Sequence, residues 1–112
     1  MAALNDVLDD KDKERLERRV YMNLLYDFYS PLLTDCQRNV YEMLCFSDMA
    51  PAEVARSLGI SRQAVHILER RIMRRLEDIE KELHFAETVR RLEERIRKLE
   101  AENEALRCEG RP

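Results

Sequence analysis

Hydrophobic residues along this chain recur at the three- and four-residue spacing of helices, and turn-forming residues are scarce. The 112 residues include two glycines and three prolines, whereas a sheet-rich fold needs frequent turns between its strands. The pattern therefore predicts an all-α protein, in which a small bundle of helices is followed by a long C-terminal helix.

The first predicted helix runs from about Asp12 to Ser30. Its apolar residues fall four apart on one helical face: Leu16, Val20, Leu24 and Phe28. Pro31 ends the helix because proline disfavours helical geometry at the residue before it. In the second predicted helix, Thr34 and Gln37 have the spacing of a capping box. The apolar face of that helix comprises Val40, Met43 and Leu44.

The next two predicted helices are joined by a tight turn. A short helix spans Pro51 to Leu58, since proline suits a first helical position, where its missing N–H would have no helical partner. Gly59 suits the left-handed conformation that closes a helix, with Ile60 packed beneath the turn. Ser61 then caps the following helix through its hydroxyl. Two helices joined in this way form a helix-turn-helix, whose second helix enters the major groove of DNA.

The second helix of this motif concentrates positive charge. Residues 61–76 contain one acidic and five basic side chains, although the whole chain carries a net charge of −3. An aliphatic stripe is predicted to pack against the preceding helices: Val65, Leu68, Ile72 and Leu76. Arginine pairs with phosphates and binds guanine edges through two hydrogen bonds. The predicted nucleic-acid-binding residues are Ser61, Arg62, Gln63, His66, Arg70, Arg71 and Arg74. Alternatively, the arginines form a solvated face that pairs with Glu69, Glu77 and Asp78.

The last part of the chain has the heptad pattern of a coiled coil. The predicted dimerisation residues are Val89, Ile96 and Asn103 at position a, and Leu92, Leu99 and Leu106 at position d. β-branched residues at a with leucine at d favour a parallel pair, and an asparagine at a fixes the register. In that pair Arg95 faces Glu100 of the other chain, and Glu102 faces Arg107. The alternative is a single amphipathic helix that folds back on the domain.

The heptad does not extend cleanly upstream, and one residue must be skipped near His84 and Phe85. A bend or a second packing surface is therefore expected there. The resulting predicted organisation is an acidic extension over residues 1–11, a helix-turn-helix domain over 12–84, a coiled-coil tail over 85–107 and a flexible end over 108–112.

Several kinds of chemistry are not expected. The three cysteines Cys36, Cys45 and Cys108 form no CxxC pair, which suits a reducing compartment. His66 and His84 have no acidic or thiol neighbours at metal-ligand spacing. Without a membrane-length apolar run, a secretory signal or a phosphate-binding loop, the chain is predicted to be a soluble cytoplasmic protein. We expect no enzymatic activity, cofactor or small-molecule ligand.

The segments MNLLYDFYSPLLTDCQRNVYEM and EVARSLGISRQAVH closely resemble the bacterial YlxM family of helix-turn-helix proteins. More distantly, LTDCQRNVYEML and SRQAV resemble region four of the sigma factors, an all-helical bundle that binds promoter DNA. The YlxM resemblance implies a regulatory role with the signal recognition particle, because the family's genes lie beside those for the particle's GTPase and its receptor. Two residues depart from the family pattern, Ala50 in place of a serine cap and His66 in place of a tyrosine. The acidic start and the C-terminal heptads also differ from the family's usual ends.

Two functions follow from these observations. The first is a dimeric regulator that presents two copies of the arginine-bearing helix to DNA or to the particle's RNA. The second is a protein-interaction module that contacts the particle's GTPase or its receptor through the acidic extension and Tyr21, Tyr26 and Tyr29. Those tyrosines have the alternative role of packing in the core.

Overall fold

The computed structural model describes residues 9–110, and these residues form five α-helices and one short 3-10 helix. The helices are α1 (Asp10–Tyr29), the 3-10 helix Ser30–Leu32, α2 (Asp35–Cys45), α3 (Pro51–Leu58), α4 (Arg62–Leu83) and α5 (Phe85–Glu109). The predicted all-α fold is therefore confirmed. Residues 1–8 of the predicted acidic extension and residues 111–112 of the predicted flexible end lie outside the described part of the chain.

Side-chain caps fix where α1 and α2 begin. The Asp12 N–H donates to Asp9 Oδ1 at 2.7 Å, so α1 starts two residues earlier than predicted. At α2 the predicted capping box is confirmed. The Gln37 N–H donates to Thr34 Oγ1 at 3.1 Å, and the Thr34 N–H donates to Gln37 Oε1 at 2.9 Å.

The apolar face that predicts α1 is not the face that α1 buries. Leu16, Val20 and Leu24 remain 42–62% exposed. The core instead receives a second apolar set, Met22, Leu25, Tyr26 and Tyr29, none of them more than 5% exposed. The helix is thus apolar on two sides, and the side with two tyrosines, which bury the larger area, packs inward.

The main core lies where α1, α2 and α4 meet. Tyr26 of α1 stacks on Tyr41 of α2 with ring centroids 4.3 Å apart. The buried residues of this main core are Met22, Leu25, Tyr26, Tyr29, Leu33, Val40, Tyr41, Ile72, Leu76, Ile79 and Ala86. Three of them come from α4 and one from the first turn of α5, so α4 runs through the domain and α5 starts upon it.

The helix break predicted near His84 and Phe85 is confirmed. α4 ends at Leu83, His84 takes a left-handed conformation with φ 56°, and α5 begins at Phe85. From Arg90 to Gly110 every residue is exposed. α5 therefore projects from the domain, which accounts for overall dimensions of 71 × 39 × 21 Å.

Candidate nucleic-acid interface

The turn between α3 and α4 is built as a helix-turn-helix requires. Gly59 has φ 69°, and the N–H of Ile60 donates back to the Ala55 carbonyl at 3.0 Å, which closes α3. The Ala64 N–H donates to Ser61 Oγ at 3.0 Å, so the predicted serine cap opens α4. The predicted packing of Ile60 beneath the turn is only partial, because its side chain is 37% exposed.

A small apolar cluster holds α3 and α4 together. Val54 and Val65 are fully buried, and Ala55, which is 6% exposed, belongs to the same cluster. Residues that flank this cluster and are partly buried are Met43, Leu44, Met49 and Leu58. Because the buried residues of the cluster come from both helices, α3 packs against the start of α4 and supports it.

The aliphatic stripe of α4 faces the domain, as its spacing predicts. Val65, Ile72 and Leu76 are at most 1% exposed, and Leu68 is partly buried against the main core. Because a helix that buries one side must present the other to solvent, the orientation of α4 about its axis is set by this stripe.

The polar face of α4 is consequently open to solvent. All the predicted nucleic-acid-binding residues, together with Arg75, are exposed: Ser61, Arg62, Gln63, His66, Arg70, Arg71 and Arg74. Within residues 9–110, no carboxylate oxygen lies within 4.0 Å of any of the five arginines. The alternative in which these arginines pair with neighbouring acidic residues is therefore not found.

The exposed face has two zones along α4. Ser61, Arg62 and Gln63 lie at the start, where helix-turn-helix proteins contact base edges. Arg70 and Arg74 lie two and three turns further along a helix that is about 33 Å long. In protein–DNA complexes generally, contacts to phosphates fix the orientation of the protein, and contacts to base edges carry the specificity.

One arginine of α1, Arg18, lies beside this face, and sequence reasoning missed it. Arg18 lines the same surface depression as Arg70 and Arg74, although more than fifty residues separate them in the chain. Arg18 donates to Glu77 Oε1 at 2.7 Å, so Glu77 is occupied by α1 rather than by an arginine of α4. The sequence signal for this contact is the run of basic residues in α1, but its periodicity does not indicate that Arg18 lies beside the arginine face of α4.

Two of the three tyrosines considered for a protein-binding surface are buried. Tyr29 is 1% exposed and Tyr26 is 5% exposed, whereas Tyr21 is 44% exposed. The Tyr26 hydroxyl donates to Glu42 Oε1 at 2.8 Å. Burial, and then this hydrogen bond, raise the pKa of Tyr26 to about 12. The proposed surface of Tyr21, Tyr26 and Tyr29 is therefore wrong for the last two, which pack in the core because their large rings gain more by burial.

The heptad residues of α5 are largely uncovered. Leu92, Ile96, Leu99 and Leu106 are 41–63% exposed, Asn103 is exposed and Val89 is partly buried. From Arg90 onward every residue is exposed, so the alternative in which the tail folds back along the domain is not found for that part of α5. An apolar stripe of this length is unusual on a free helix, and its pairing with a second copy stays a prediction.

Three further features of the described residues concern helix hydrophobicity, metal ligands and thiols. Between residues 9 and 110, no helix is long and apolar enough to cross a membrane, and no group of three His, Cys, Asp or Glu side chains is placed to hold a metal ion. The thiols of Cys36, Cys45 and Cys108 are not cross-linked. Burial raises the pKa of the Cys45 thiol, which keeps it protonated.

A family comparison agrees with this geometry. Residues 16–109 match a family model described as "Putative helix-turn-helix protein, YlxM / p13 like". The chain belongs to this family. UPF0122 proteins of Streptococcus gordonii (strain Challis) and of Streptococcus pneumoniae (strain CGSP14) are 44% identical to it over 70 residues, which cover 62% of this chain and 64% of each relative. The chain thus spans 64% of the length of these curated relatives, and the predicted resemblance to the YlxM family is confirmed.

Proposed function

We propose that this protein is a nucleic-acid-binding regulator that binds a duplex through the exposed arginine face of α4. The observation that carries the proposal is the state of the five arginines: all are exposed on the second helix of a helix-turn-helix, and no carboxylate lies within 4.0 Å of them in the described chain. Guanidinium groups without a protein partner attract an anionic ligand, and a polyphosphate backbone is the ligand that a row of them fits.

The shape of α4 favours a B-form duplex. The major groove of B-DNA is about 12 Å wide and admits an α-helix, so Arg62, Gln63 and His66 reach base edges there while Arg70 and Arg74 meet phosphates. The major groove of A-form RNA is too narrow for a helix to enter. The RNA of the signal recognition particle would therefore be bound through its phosphates and shape, without base contacts from α4.

The second part of the proposal is a parallel homodimer formed by α5. Its exposed stripe supplies the apolar seam, and the g and e positions carry complementary charges, Arg95 with Glu100 and Glu102 with Arg107. A dimer presents two α4 helices, which raises the affinity for a duplex beyond that of one helix. Membership of the YlxM family supports a regulatory role in the signal recognition particle pathway in the cytoplasm.

The experiment is a salt titration of the full chain against a DNA duplex and the particle's RNA, side by side. Binding to DNA is expected at low salt, with an affinity that falls linearly in log–log form as salt rises. Weaker binding to RNA, with a similar salt slope, is expected if only phosphates are contacted. Undetectable affinity for both ligands at low salt would overturn the proposal.

A second candidate function is favoured by one observation, the outer apolar face of α1. Leu16, Val20 and Leu24 are 42–62% exposed on the side of α1 that faces away from the core, and such patches often mark protein-binding sites. The candidate partner is the particle's GTPase or its receptor.

A pull-down of the GTPase by nuclease-treated protein separates the two functions. If α1 is the protein-binding surface, Val20→Asp abolishes capture and leaves duplex binding intact, whereas Arg70→Ala/Arg74→Ala has the opposite effect. Capture that survives Val20→Asp would exclude the α1 face as the binding surface.

A further inference from the structure

The junction between α4 and α5 is a break that the residue types do not require. No glycine or proline lies between Ser61 and Glu109, so nothing in the composition of this segment stops one continuous helix. The chain nevertheless breaks at His84, where φ is 56°, a left-handed conformation that residues with a side chain rarely adopt. Contacts from elsewhere in the fold must hold the break.

Two side chains outside α5 cap its first turn. The Phe85 N–H donates to Tyr29 Oη at 3.1 Å. The N–H groups of Ala86 and Glu87 donate to the two carboxylate oxygens of Glu80, at 3.1 and 3.2 Å. The first N–H groups of a helix have no partner within it, and the His84 side chain makes no capping bond. Tyr29 and Glu80 therefore supply the missing cap.

These two side chains also bond to each other inside the core. The Tyr29 hydroxyl donates to Glu80 Oε1, and the two residues are 1% and 8% exposed. A buried carboxylate is stable only when its oxygens are hydrogen-bonded, and a helix N-terminus is where a negative charge is favoured. Glu80 is therefore satisfied only while α5 starts where it does, and Ala86, 4% exposed, packs that start against the core.

The heptad pattern begins directly at this junction. Phe85 lies four residues before Val89 and seven before Leu92, which places it at position d of the same stripe. Its ring is 51% exposed and stands 6.1 Å from that of Tyr29, centroid to centroid. No flexible linker therefore separates the capped turn from the predicted coil, and the direction of the coil follows from the geometry of the cap.

We propose that Tyr29 and Glu80 are positioning residues that set the angle between α4 and α5, and with it the separation of the two α4 helices in the dimer. This inference rests on the proposed function, since the separation matters to a ligand only if α5 pairs and α4 binds a duplex. The preferred ligand is then a duplex with two half-sites at one fixed spacing, on one face of the double helix.

The chain carries its own sites for measuring this angle. Cys36 in α2 and Cys108 near the end of α5 are exposed thiols, and Cys45→Ala removes the third cysteine. Spin labels on Cys36 and Cys108, in labelled protein diluted with a cysteine-free variant, give the distance within one chain by pulsed electron paramagnetic resonance. We expect one narrow distance distribution in the background protein, which carries Cys45→Ala and no other substitution.

Removing either positioning group is expected to shift and broaden that distribution. The test variants are Tyr29→Phe, which deletes one hydroxyl and keeps the ring in the core, and Glu80→Gln, which removes the charge at constant shape. The matched controls are Tyr21→Phe and Glu82→Gln, exposed residues of the same two helices. Controls should reproduce the distribution of the background protein. If Glu80→Gln fails to unfold cooperatively, Tyr29→Phe alone decides the result.

A second label pair tests the separation of the two domains. With Cys45→Ala and Cys108→Ala, only Cys36 is labelled, and the measured distance joins the two chains of the dimer. It should be narrow in the background protein and broad in Tyr29→Phe and Glu80→Gln. Distributions in the test variants that superimpose on those of the controls would overturn the proposal. A missing Cys36–Cys36 distance would instead overturn the dimer, while the distance within one chain still reports the angle.

Discussion

The two longest helices of this protein, α4 and α5, have similar sequences and opposite surroundings. Both are rich in arginine and glutamate, and both carry an aliphatic stripe at helical spacing. In α4 the residues Val65, Ile72 and Leu76 are at most 1% exposed, whereas in α5 the residues Leu92, Ile96 and Leu99 are 41–57% exposed. One stripe finds its partner within the chain, and the other is left open.

The difference shows what periodicity does and does not determine. A stripe of apolar residues indicates that one side of a helix is buried, but it does not determine which surface covers that side. For α4 the covering surface is α1, α2 and α3, and this fixes its arginines outward. For α5 the heptad spacing and the complementary flanks point to a second copy of α5. The comparison can be tested by substitutions at matched positions of the two helices.

The largest effect is expected at the open stripe. Leu99→Glu places a charge at a d position in both chains of the dimer. Burial of each leucine stabilises the dimer by about 1.5–3 kcal/mol, so the free energy of dimerisation should weaken by about 3–6 kcal/mol per dimer. Sedimentation equilibrium should show a change from two chains to one chain of 13.4 kDa. Ala101→Glu, at the outer f position, should leave the dimer intact. A single-chain mass for the unmodified protein at micromolar concentration would contradict the dimer.

Substitutions in the covered stripe of α4 should lower the free energy of unfolding and leave the dimer intact. Ile72→Ala removes a side chain that is 1% exposed, and such truncations cost about 2–5 kcal/mol of unfolding free energy because a cavity remains. Ile67→Ala on the same helix, where the side chain is 39% exposed, should cost less than about 1 kcal/mol. Urea denaturation measures both values. Equal costs at the two positions would mean that α4 does not bury the stripe assigned to it.

A smaller effect is expected at the start of α4. Ser61→Ala removes the acceptor of the Ala64 N–H, and loss of such a cap typically costs about 1 kcal/mol. Ser57→Ala, an exposed serine within α3, is the matched control and should be close to neutral. Thermal unfolding of both variants checks the prediction, and an unchanged stability for Ser61→Ala would show that the cap does not contribute to fixing α4.

Much of the fold could be predicted because its determinants are local. The capping box of Thr34 and Gln37, the left-handed Gly59 and the Ser61 cap each depend on residues within a few positions of one another. The sequence of α4 has one long apolar stripe, so the buried side of the helix, and with it the exposure of its arginines, could be predicted. The break at His84 was visible as a loss of heptad register, although the sequence gives no reason for its geometry.

The rest depends on contacts between residues that are distant in the chain. α1 has two apolar faces, and only the packing of Tyr26 against Tyr41 decides which one is buried. Glu80 lies in the charged run EDIEKE and resembles its neighbours, yet it is 8% exposed because Tyr29, 51 residues away, bonds to it. The approach of Arg18 to the arginine face of α4 was hidden for the same reason.

The central claim is that the outward guanidinium groups of α4 bind the phosphates of a duplex, and the salt dependence of binding tests it most directly. Each phosphate contact contributes about one unit to the slope of log affinity against log salt. Arg70→Ala/Arg74→Ala removes two such contacts from each chain, so it should reduce that slope by about four for a dimer that binds through both α4 helices. Arg91→Ala/Arg97→Ala removes the same charge from exposed positions of α5 and should leave the slope unchanged. Equal slopes for the unmodified protein and both double variants would contradict the claim.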